Sequence, residues 1–244
     1  MMYNFIEKSN FRRQVKKMVP TQIIPIARIY NDFDEKFGVP RQSGLAPDIL
    51  SVIVFEKPYR TAEALRGIEG YSHLWLIWQF SECGGRWSPT VRPPRLGGNR
   101  RMGVFATRSP FRPNGLGLSS VRLEKVEHTA ENGDVLIVSG ADLMNGTPIF
   151  DVKPYVAYSD SHPDAVSGFA DAFSSYSLEV DCPDGLLSRL PEEKRMGLTE
   201  LLALDPRPSY QSDPDRVYAV VYAGFEVKFS VCETVLTVRS IEKA

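Results

Sequence analysis

Short apolar runs rich in β-branched residues recur between residues 21 and 158, separated by Gly, Pro, Asn or Asp, which is typical of β-strands. The turn sequence ENGD separates two of these runs and predicts a hairpin. One segment, 61–70, instead has the pattern of a short helix with Thr61 at its N-cap. The predicted strands are 21–30, 49–56, 71–80, 118–128, 134–143 and 147–158. Strands that follow one another without long helices favour an antiparallel all-β domain over a doubly wound parallel sheet.

The pattern changes after residue 160. Residues 161–180 are mostly small and polar and predict a linker. Apolar spacing over 185–204 is that of helices, with Pro191 breaking or starting one. Strict alternation over 224–231 predicts a strand, and the apolar runs on either side predict its partners in a small antiparallel sheet. We therefore expect a basic N-terminal arm at 1–20, a larger all-β domain at 21–160, the linker at 161–180 and a small α+β domain at 181–244.

Composition and cysteine usage indicate the compartment. The 244 residues carry a net charge of −1, and no apolar run approaches the roughly 18–20 residues that span a bilayer. The first residues lack the apolar core and the cleavage pattern of a signal peptide. Cys83, Cys182 and Cys232 are widely spaced and odd in number, which indicates reduced thiols rather than disulfides. We expect a cytoplasmic protein without a membrane segment.

Positive charge is concentrated in one segment. Between Cys83 and Leu123 there is no Asp, Glu or Lys, whereas there are eight arginines: Arg86, Arg92, Arg95, Arg100, Arg101, Arg108, Arg112 and Arg122. A loop of about 30 residues without regular structure of its own tends to be functional. Arginine forks bind phosphate or carboxylate, and Trp87 and Phe111 offer faces for stacking on bases. The run GVFATRSPFRPNGLGLSS (103–120) therefore predicts a loop that binds an anionic or charged ligand.

Several kinds of catalytic site are disfavoured by the sequence. The three histidines have no partner at ligand spacing, so no metal site is predicted. Cys83 has no neighbouring histidine, and Ser119 and Ser120 lack a nucleophile-elbow context, which disfavours covalent catalysis. The run NGLGLSS has G-x-G alone and no βαβ context, which disfavours a dinucleotide site. Taken alone, His73 is more typical of a hydrogen-bonded core histidine than of a base.

Two shorter loops contain groups suited to a ligand. In VPRQSGLAP (39–47), Gln42 and Ser43 could hydrogen-bond a purine edge or an amino-acid tail. In ADLMNGTP (141–148), Asp142 could face a cationic or hydroxyl-bearing ligand. Each loop taken alone is typical of a connecting turn.

Five segments together resemble one family: PRQSGLAP, GYSHLWLIWQF, the run from Arg92 to Leu123, DLMNGTPIFDVKPYV and DPRPSYQ (205–211). Over roughly residues 21–240 they resemble the TsaA-like β-barrel methyltransferases, the TrmO group of tRNA (adenine-N6) methyltransferases. The resemblance implies an antiparallel β-barrel that binds S-adenosylmethionine, followed by a small α+β domain, and a homodimer that completes the site. It also implies methylation of N6 of threonylcarbamoyladenosine at position 37 of threonine-type tRNA.

The resemblance further implies roles for particular residues. The implied cofactor contacts are Gln42, Ser43, Gly44, Leu45, Arg108, Ser120, Ala141, Asp142, Leu143 and Met144. His73, Arg112 and Asn114 would line the same pocket. The implied RNA contacts are Arg92, Arg95, Arg100, Arg101, Arg112 and Asn114, and no metal is implied.

Methyl transfer from a sulfonium is an in-line displacement that needs neither a metal nor a covalent intermediate, and orientation supplies much of its acceleration. The acceptor nitrogen is conjugated with the ring and the carbamoyl group, so it is a poor nucleophile while it is protonated. Asp142 and His73 are our candidates for the base or hydrogen-bond acceptor. Two other functions stay open: an S-adenosylmethionine-binding regulator without catalysis, and a tRNA- or phosphate-binding β-domain.

Overall fold

A computed structural model describes residues 20–207 and 213–244 of the chain. The predicted basic arm lies outside the described residues except for Pro20, and so do residues 208–211 of the DPRPSYQ motif. Strands dominate the secondary structure of the described residues, which confirms the predicted mainly β class.

Six antiparallel strands form a closed barrel in the first part of the chain. The first eight strands are Ala27–Tyr30 (β1), Leu50–Phe55 (β2), His73–Gln79 (β3), Thr90–Val91 (β4), Met102–Gly103 (β5), Leu116–Thr129 (β6), Gly133–Ser139 (β7) and Pro148–Pro154 (β8). β4 and β5 pair only with each other, and the rest join in the order β1-β2-β7-β6-β3-β8. The ring closes where Ala27 of β1 pairs with Ile149 of β8, so every barrel strand has a partner on both sides. The short helices Ala62–Leu65 (α1) and Ala157–Asp160 (α2) also belong to this part.

Alternating side chains fill the barrel. In β3, Leu74, Leu76 and Trp78 are buried, and the residues between them are more exposed. β6 follows the same rule, with Ser119 and Val121 among its buried positions. Because the period of a strand is two residues, this alternation decides which side chains of β3 and β6 reach the barrel interior.

Two predicted strands differ from the observed ones at one end. The strand predicted over 134–143 ends at Ser139, and Gly140 then adopts a φ of +72°, which turns the chain out of the sheet. The strand predicted over 21–30 begins only at Ala27. Pro25 has no amide hydrogen to donate to a ladder, which accounts for the late start. The predicted hairpin between β6 and β7 is confirmed.

A second sheet with two helices forms the C-terminal part. Its elements are Glu179–Asp181 (β9), Asp184–Leu187 (α3), Glu192–Ala203 (α4), Tyr218–Tyr222 (β10), Phe225–Cys232 (β11) and Val235–Lys243 (β12). The predicted antiparallel trio β10-β11-β12 is confirmed, and Pro191 stands at the N-cap of α4. Parallel pairing adds β9 beside β12, and its three residues are too few to show an alternating pattern. Residues 161–180, predicted as a linker, include a 3₁₀ turn at Gly168–Phe173.

The loop between β1 and β2 packs into the C-terminal core. Phe33, Ala46 and Ile49 are buried in the same apolar cluster as Leu198 of α4 and Phe229 of β11. This loop contains the candidate cofactor residues 42–45, so its position depends on the C-terminal sheet as well as on the barrel.

The packing of α4 can be tested at Gly197. A Cβ there would lie 2.5 Å from the Tyr222 hydroxyl and 2.8 Å from an Ile49 side-chain carbon. We expect Gly197→Ala to lower the free energy of unfolding by about 1–3 kcal/mol, because both neighbours are buried and have little room to move. Gly185 of α3 has open space at its Cβ position, so Gly185→Ala should be neutral or stabilising by up to about 1 kcal/mol. Urea denaturation compares the two variants, and equal stabilities would contradict the close contact.

Candidate active site

Three loops leave the barrel at one end. Neighbouring strands of the closed antiparallel ring alternate in direction, so β1, β3 and β7 run the same way. The connections that follow these strands, 31–49, 80–115 and 140–147, therefore share one end of the barrel, which we call the loop end. They contain all the cofactor residues predicted from the sequence except Ser120, which lies on β6.

A backbone contact joins the first loop to the third. The amide of Gly44 donates to the carbonyl of Gly140 with an N–O distance of 2.8 Å. Both residues have positive φ, and a Cβ on Gly140 would lie 3.1 Å from the Cα of Gly44. Glycine at these two positions lets the main chains approach each other closely.

Arg108 connects the second loop to the first. Its guanidinium donates to Oε1 of Gln42, and Nε2 of Gln42 donates to the carbonyl of Arg41 at 2.6 Å. The charge of Arg108 also acts on the carboxylate of Asp142 in the third loop. The structure therefore brings together three of the predicted cofactor residues, one from each loop.

Asp142 is the carboxylate of this cluster, and it is half-buried. Burial raises its pKa above the ordinary aspartate value, whereas a hydrogen bond from the Ser119 hydroxyl opposes the rise. Backbone amides of Asp142 itself and of Ser43, together with the charge of Arg108, oppose it further. Ser119 Oγ lies 2.5 Å from Asp142 Oδ1 and accepts in turn from Nε1 of Trp78 at 2.9 Å. A line of hydrogen bonds thus runs from the barrel interior to Asp142.

Sequence reasoning assigned no role in this site to Ser119 or Trp78. It chose Ser120, whose side chain faces away from the barrel interior and is half-buried, while Ser119 is buried. The signal was present in the alternation of 116–123, where Gly117, Val121 and Leu123 share a face with Ser119. A strand register over these residues would have placed Ser119 beside the interior.

Two of the predicted cofactor residues have side chains inside the barrel core. Ala141 and Leu143 are buried there, so only their main-chain groups face the loop end. The carbonyl of Leu143 already accepts from Nδ2 of Asn31 at 2.9 Å. Met144 is half-buried and Leu45 is exposed, so these two side chains offer the loop end apolar surface.

The structure does not bring His73 to Asp142. His73 is the first residue of β3, and its exposed side chain contacts the Ser72 hydroxyl at 2.9 Å and the ring of Tyr155 at 6.1 Å. The pair of Leu76 with Ser119 lies three residues further along β3, about 10 Å away. No hydrogen bond or ring contact of His73 within the described chain reaches Asp142.

The arginine-rich segment has more local structure than its composition predicts. Three 3₁₀ turns, Ser81–Cys83, Pro94–Leu96 and Val104–Ala106, punctuate it, and β4 pairs with β5 inside it. Val104 is buried, and its amide donates to the carbonyl of Pro89 at 3.0 Å. Pro94 begins the second of these turns, and Gly84 and Gly97, both with positive φ, end the first and the second.

Two arginines predicted to bind RNA support the fold of this segment. Arg112 donates to the carbonyls of Val104 at 3.3 Å and Thr107 at 2.6 Å, and its guanidinium lies 5.8 Å from the ring centroid of Phe105. Arg95 donates to the carbonyl of Phe173 at 3.0 Å and lies over two aromatic rings of the 168–176 segment. The other predicted RNA contacts, Arg92, Arg100, Arg101 and Asn114, are exposed.

The C-terminal part contacts the first loop through Arg41. This residue precedes Gln42, and its guanidinium donates to the carbonyls of Asp205 at 3.3 Å and Arg207 at 3.0 Å. Arg207 in turn forms a bidentate pair with Asp205, at 2.8 and 2.9 Å, and the Tyr176 hydroxyl donates to the same carboxylate. The DPR part of the late motif therefore supports the loop that holds the candidate cofactor residues.

Neither a metal cluster nor a membrane span is found in the part of the chain that the structure describes. Within residues 20–207 and 213–244, no three His, Cys, Asp or Glu side chains are placed to hold a metal ion. No helix in these ranges has the length and apolar character needed to cross a membrane.

Two family models match the chain. The model of the tRNA-methyltransferase O N-terminal domain matches residues 28–161, and that of the TrmO C-terminal domain matches residues 178–244. The chain belongs to the tRNA-methyltransferase O family. The first match covers all six barrel strands except Ala27, and the second covers the C-terminal sheet, so the resemblance inferred from the motifs is confirmed.

Individual TrmO relatives are similar over most of their length. The tRNA (adenine(37)-N6)-methyltransferase of Escherichia coli K12 is 39% identical over 230 residues, covering 91% of this chain and 97% of that protein. A Pseudomonas aeruginosa protein named putative S-adenosylmethionine-dependent methyltransferase RcsF is 42% identical over 208 residues, covering 81% and 87%. A crystal structure of TrmO from Pseudomonas aeruginosa has a TM-score of 0.74 at 33% identity, covering 91% of this chain and 98% of that one.

The Asp205–Arg207 ion pair, which lies behind the first loop, gives a stability prediction. Burial alone raises the pKa of Asp205, but hydrogen bonds from Arg207 and Tyr176 outweigh burial and leave the pKa below its ordinary value. Because the Asp205 and Arg207 side chains are only 14% and 12% exposed, we expect Asp205→Asn to lower the free energy of unfolding by about 2 kcal/mol at pH 7. The exposed pair of Glu226 with Lys228 is the control, and Glu226→Gln should leave the free energy of unfolding almost unchanged.

The pH dependence of stability shows whether Asp205→Asn acts through the lost charge or through the changed shape of the side chain. A carboxylate whose folded pKa is depressed contributes stability above its unfolded pKa and loses it as the pH falls through the folded pKa. The difference between wild type and Asp205→Asn should therefore shrink below about pH 4. Urea denaturation at several pH values measures it, and a difference independent of pH would mean that the charge of Asp205 is not the stabilising feature.

Proposed function

We propose that this chain is an S-adenosylmethionine-dependent methyltransferase that methylates N6 of threonylcarbamoyladenosine at position 37 of threonine-type tRNA. The observation that supports this most is the meeting of Gln42, Arg108 and Asp142 at the loop end of a TrmO-family barrel. The names of its relatives, a tRNA (adenine(37)-N6)-methyltransferase and a putative S-adenosylmethionine-dependent methyltransferase, support the substrate class and the cofactor.

The residues of the loop end fit the cofactor by charge and shape. S-adenosylmethionine has a carboxylate, an ammonium and a sulfonium, and the cluster of Gln42, Arg108 and Asp142 offers a guanidinium and a half-buried carboxylate. Gln42 and the main chain around Gly44 add donors and acceptors, while Leu45 adds apolar surface. The cofactor would be held by Arg108, Gln42, Ser43, Leu45 and the main chain of residues 141–144. When bound, the cofactor supplies a methyl group on a positively charged sulfur.

Asp142 is the group we assign to the acceptor nitrogen. The N6 proton of the modified adenosine must leave as the new N–C bond forms, and a carboxylate within hydrogen-bond distance can accept it. Burial raises the pKa of Asp142, which makes its carboxylate a stronger base than an ordinary aspartate. Its half-buried position between β6 and the 31–49 loop also limits the access of water.

Exposed groups of the arginine-rich segment support tRNA as the partner. Arg92, Arg100 and Arg101 are exposed and lie within a run that contains no acidic residue, so they can contact phosphates. Trp87 and Phe105 are exposed in the same segment and can stack on unpaired bases or pack against another chain. We include a homodimer that completes the site in the proposal, and a cytoplasmic location, where mature tRNA is found.

Transfer of label tests the function. We would incubate the full chain with tritiated S-adenosylmethionine and total tRNA from cells that have or lack the threonylcarbamoyl modification. Label in the modified tRNA alone is the expected result, because only that base carries the proposed acceptor.

Each other outcome selects a different function. Label in both tRNA pools would show that the threonylcarbamoyl group is not required. Absence of label with cofactor binding in calorimetry would favour a regulator, and tRNA binding without cofactor binding would favour an RNA-binding β-domain.

Substitution of the two candidate bases tests the assignment of Asp142. We expect Asp142→Asn to lower the single-turnover rate about 100-fold or more at saturating cofactor, because the amide cannot accept the proton. The same variant should not lower the melting temperature, since burying an amide costs less than burying a carboxylate. His73→Gln is the control and should keep the wild-type rate. The reverse result, with His73→Gln slow and Asp142→Asn active, would move the role to His73.

A further inference from the structure

We propose that Trp78 and Ser119 are positioning residues that orient the Asp142 carboxylate and keep it ionised for the reaction. The inference rests on the proposed function of the loop end and adds two residues that the sequence motifs did not assign. Neither of them contacts a ligand in this scheme, because both act through Asp142.

The two hydrogen bonds that join Trp78, Ser119 and Asp142 form a chain that we call the relay, and the chemistry of the groups fixes its direction. An indole N–H can only donate, so Ser119 Oγ must be the acceptor of the 2.9 Å bond from Trp78. The serine hydroxyl hydrogen is then left to point at Asp142 Oδ1, which lies 2.5 Å away. A carboxylate that receives such a donor is favoured in its ionised form.

Packing around Trp78 and Ser119 holds the relay in this orientation. Trp78 and Ser119 are 5% and 1% exposed, and a Cβ added at Gly117 would overlap the Trp78 ring. The Phe80 ring lies edge-on to Trp78, with 4.3 Å between the centroids. This close packing holds the indole in one orientation. Residue 117 must be glycine because a side chain there would overlap the Trp78 ring, and not because the backbone makes a turn.

Asp142 is held from two sides. Ser119 donates from the barrel strand β6, and the amide of Ser43 donates from the 31–49 loop. The charged group that faces Asp142 from a neighbouring element is Arg108, in the 80–115 loop. Burial favours the protonated form of Asp142 and so raises its pKa, whereas the hydrogen bond from Ser119 lowers that pKa. Removal of the Ser119 hydroxyl should therefore raise the pKa of Asp142.

The variants are Ser119→Ala, which removes the donor, and Trp78→Phe, which keeps a ring but removes the N–H. Ser51 provides the matched control, because it is another buried barrel serine and its hydroxyl has no hydrogen-bond partner among the described residues. Melting temperatures of the three variants check that each one folds.

The first measurement needs no activity. Titration of ¹³C-labelled aspartate by NMR in the ligand-free protein reports the pKa of Asp142, assigned by its loss in Asp142→Asn. We expect Ser119→Ala to move that pKa upward by about one unit and Trp78→Phe to move it by less, with Ser51→Ala unchanged. An unchanged Asp142 pKa in folded Ser119→Ala overturns the inference whether or not the chain methylates tRNA.

The second measurement is the single-turnover methylation rate as a function of pH. Ser119→Ala should lower the rate at pH 7 about 10- to 100-fold and shift the acidic limb of the profile to higher pH, with the cofactor Kd from calorimetry unchanged. A wild-type profile in this variant overturns the positioning role while leaving the proposed function intact. Absence of methylation by the wild-type chain instead refutes the proposed function, and the NMR titration then still decides the relay.

Discussion

Closure of the barrel is the constraint on which the candidate site depends. The pairing of β1 with β8 makes a ring of six strands, and an even-numbered antiparallel ring must alternate in direction all the way round. This alternation sends the three connections to the same end, and closure places β1 and β3 on either side of β8, although the connections are separated by dozens of residues in the sequence. The close approach of Gly44 to Gly140 and the contact of Arg108 with Gln42 follow from that common end.

Much of the fold could be predicted from the sequence because the strands obey a simple alternation. The hairpin at 130–132 and the C-terminal trio were correct for this reason. β9 was missed because three residues cannot display a period. β7 was predicted too long because three of its last four predicted residues, Gly140, Ala141 and Leu143, are apolar or small. Apolar character at 141 and 143 reflects burial in the barrel core and not a strand ladder.

The sequence predicted which loops form the candidate site, but it did not predict which side chains face each other there. Motif resemblance selected Asp142 and Arg108, which the structure brings together, yet it also selected Ser120 where the neighbouring Ser119 faces Asp142. Sequence order cannot choose between adjacent residues of a strand unless the register is known. Composition likewise could not separate the arginines that bind main-chain carbonyls, Arg95 and Arg112, from those left exposed.

The contact of Arg41 with the C-terminal part uses main-chain carbonyls of Asp205 and Arg207 as acceptors. An interaction with main-chain oxygens depends on the path of the chain and not on the side chains that it displays. The side chains of Asp205, Arg207 and Tyr176 act on this contact indirectly, by holding the main chain in place. An insertion or deletion of one residue between Ala203 and Asp205 would move both acceptors at once, and the displacement would reach the 42–45 loop through Arg41. The number of residues between α4 and Arg207 therefore decides whether Arg41 can reach both carbonyls.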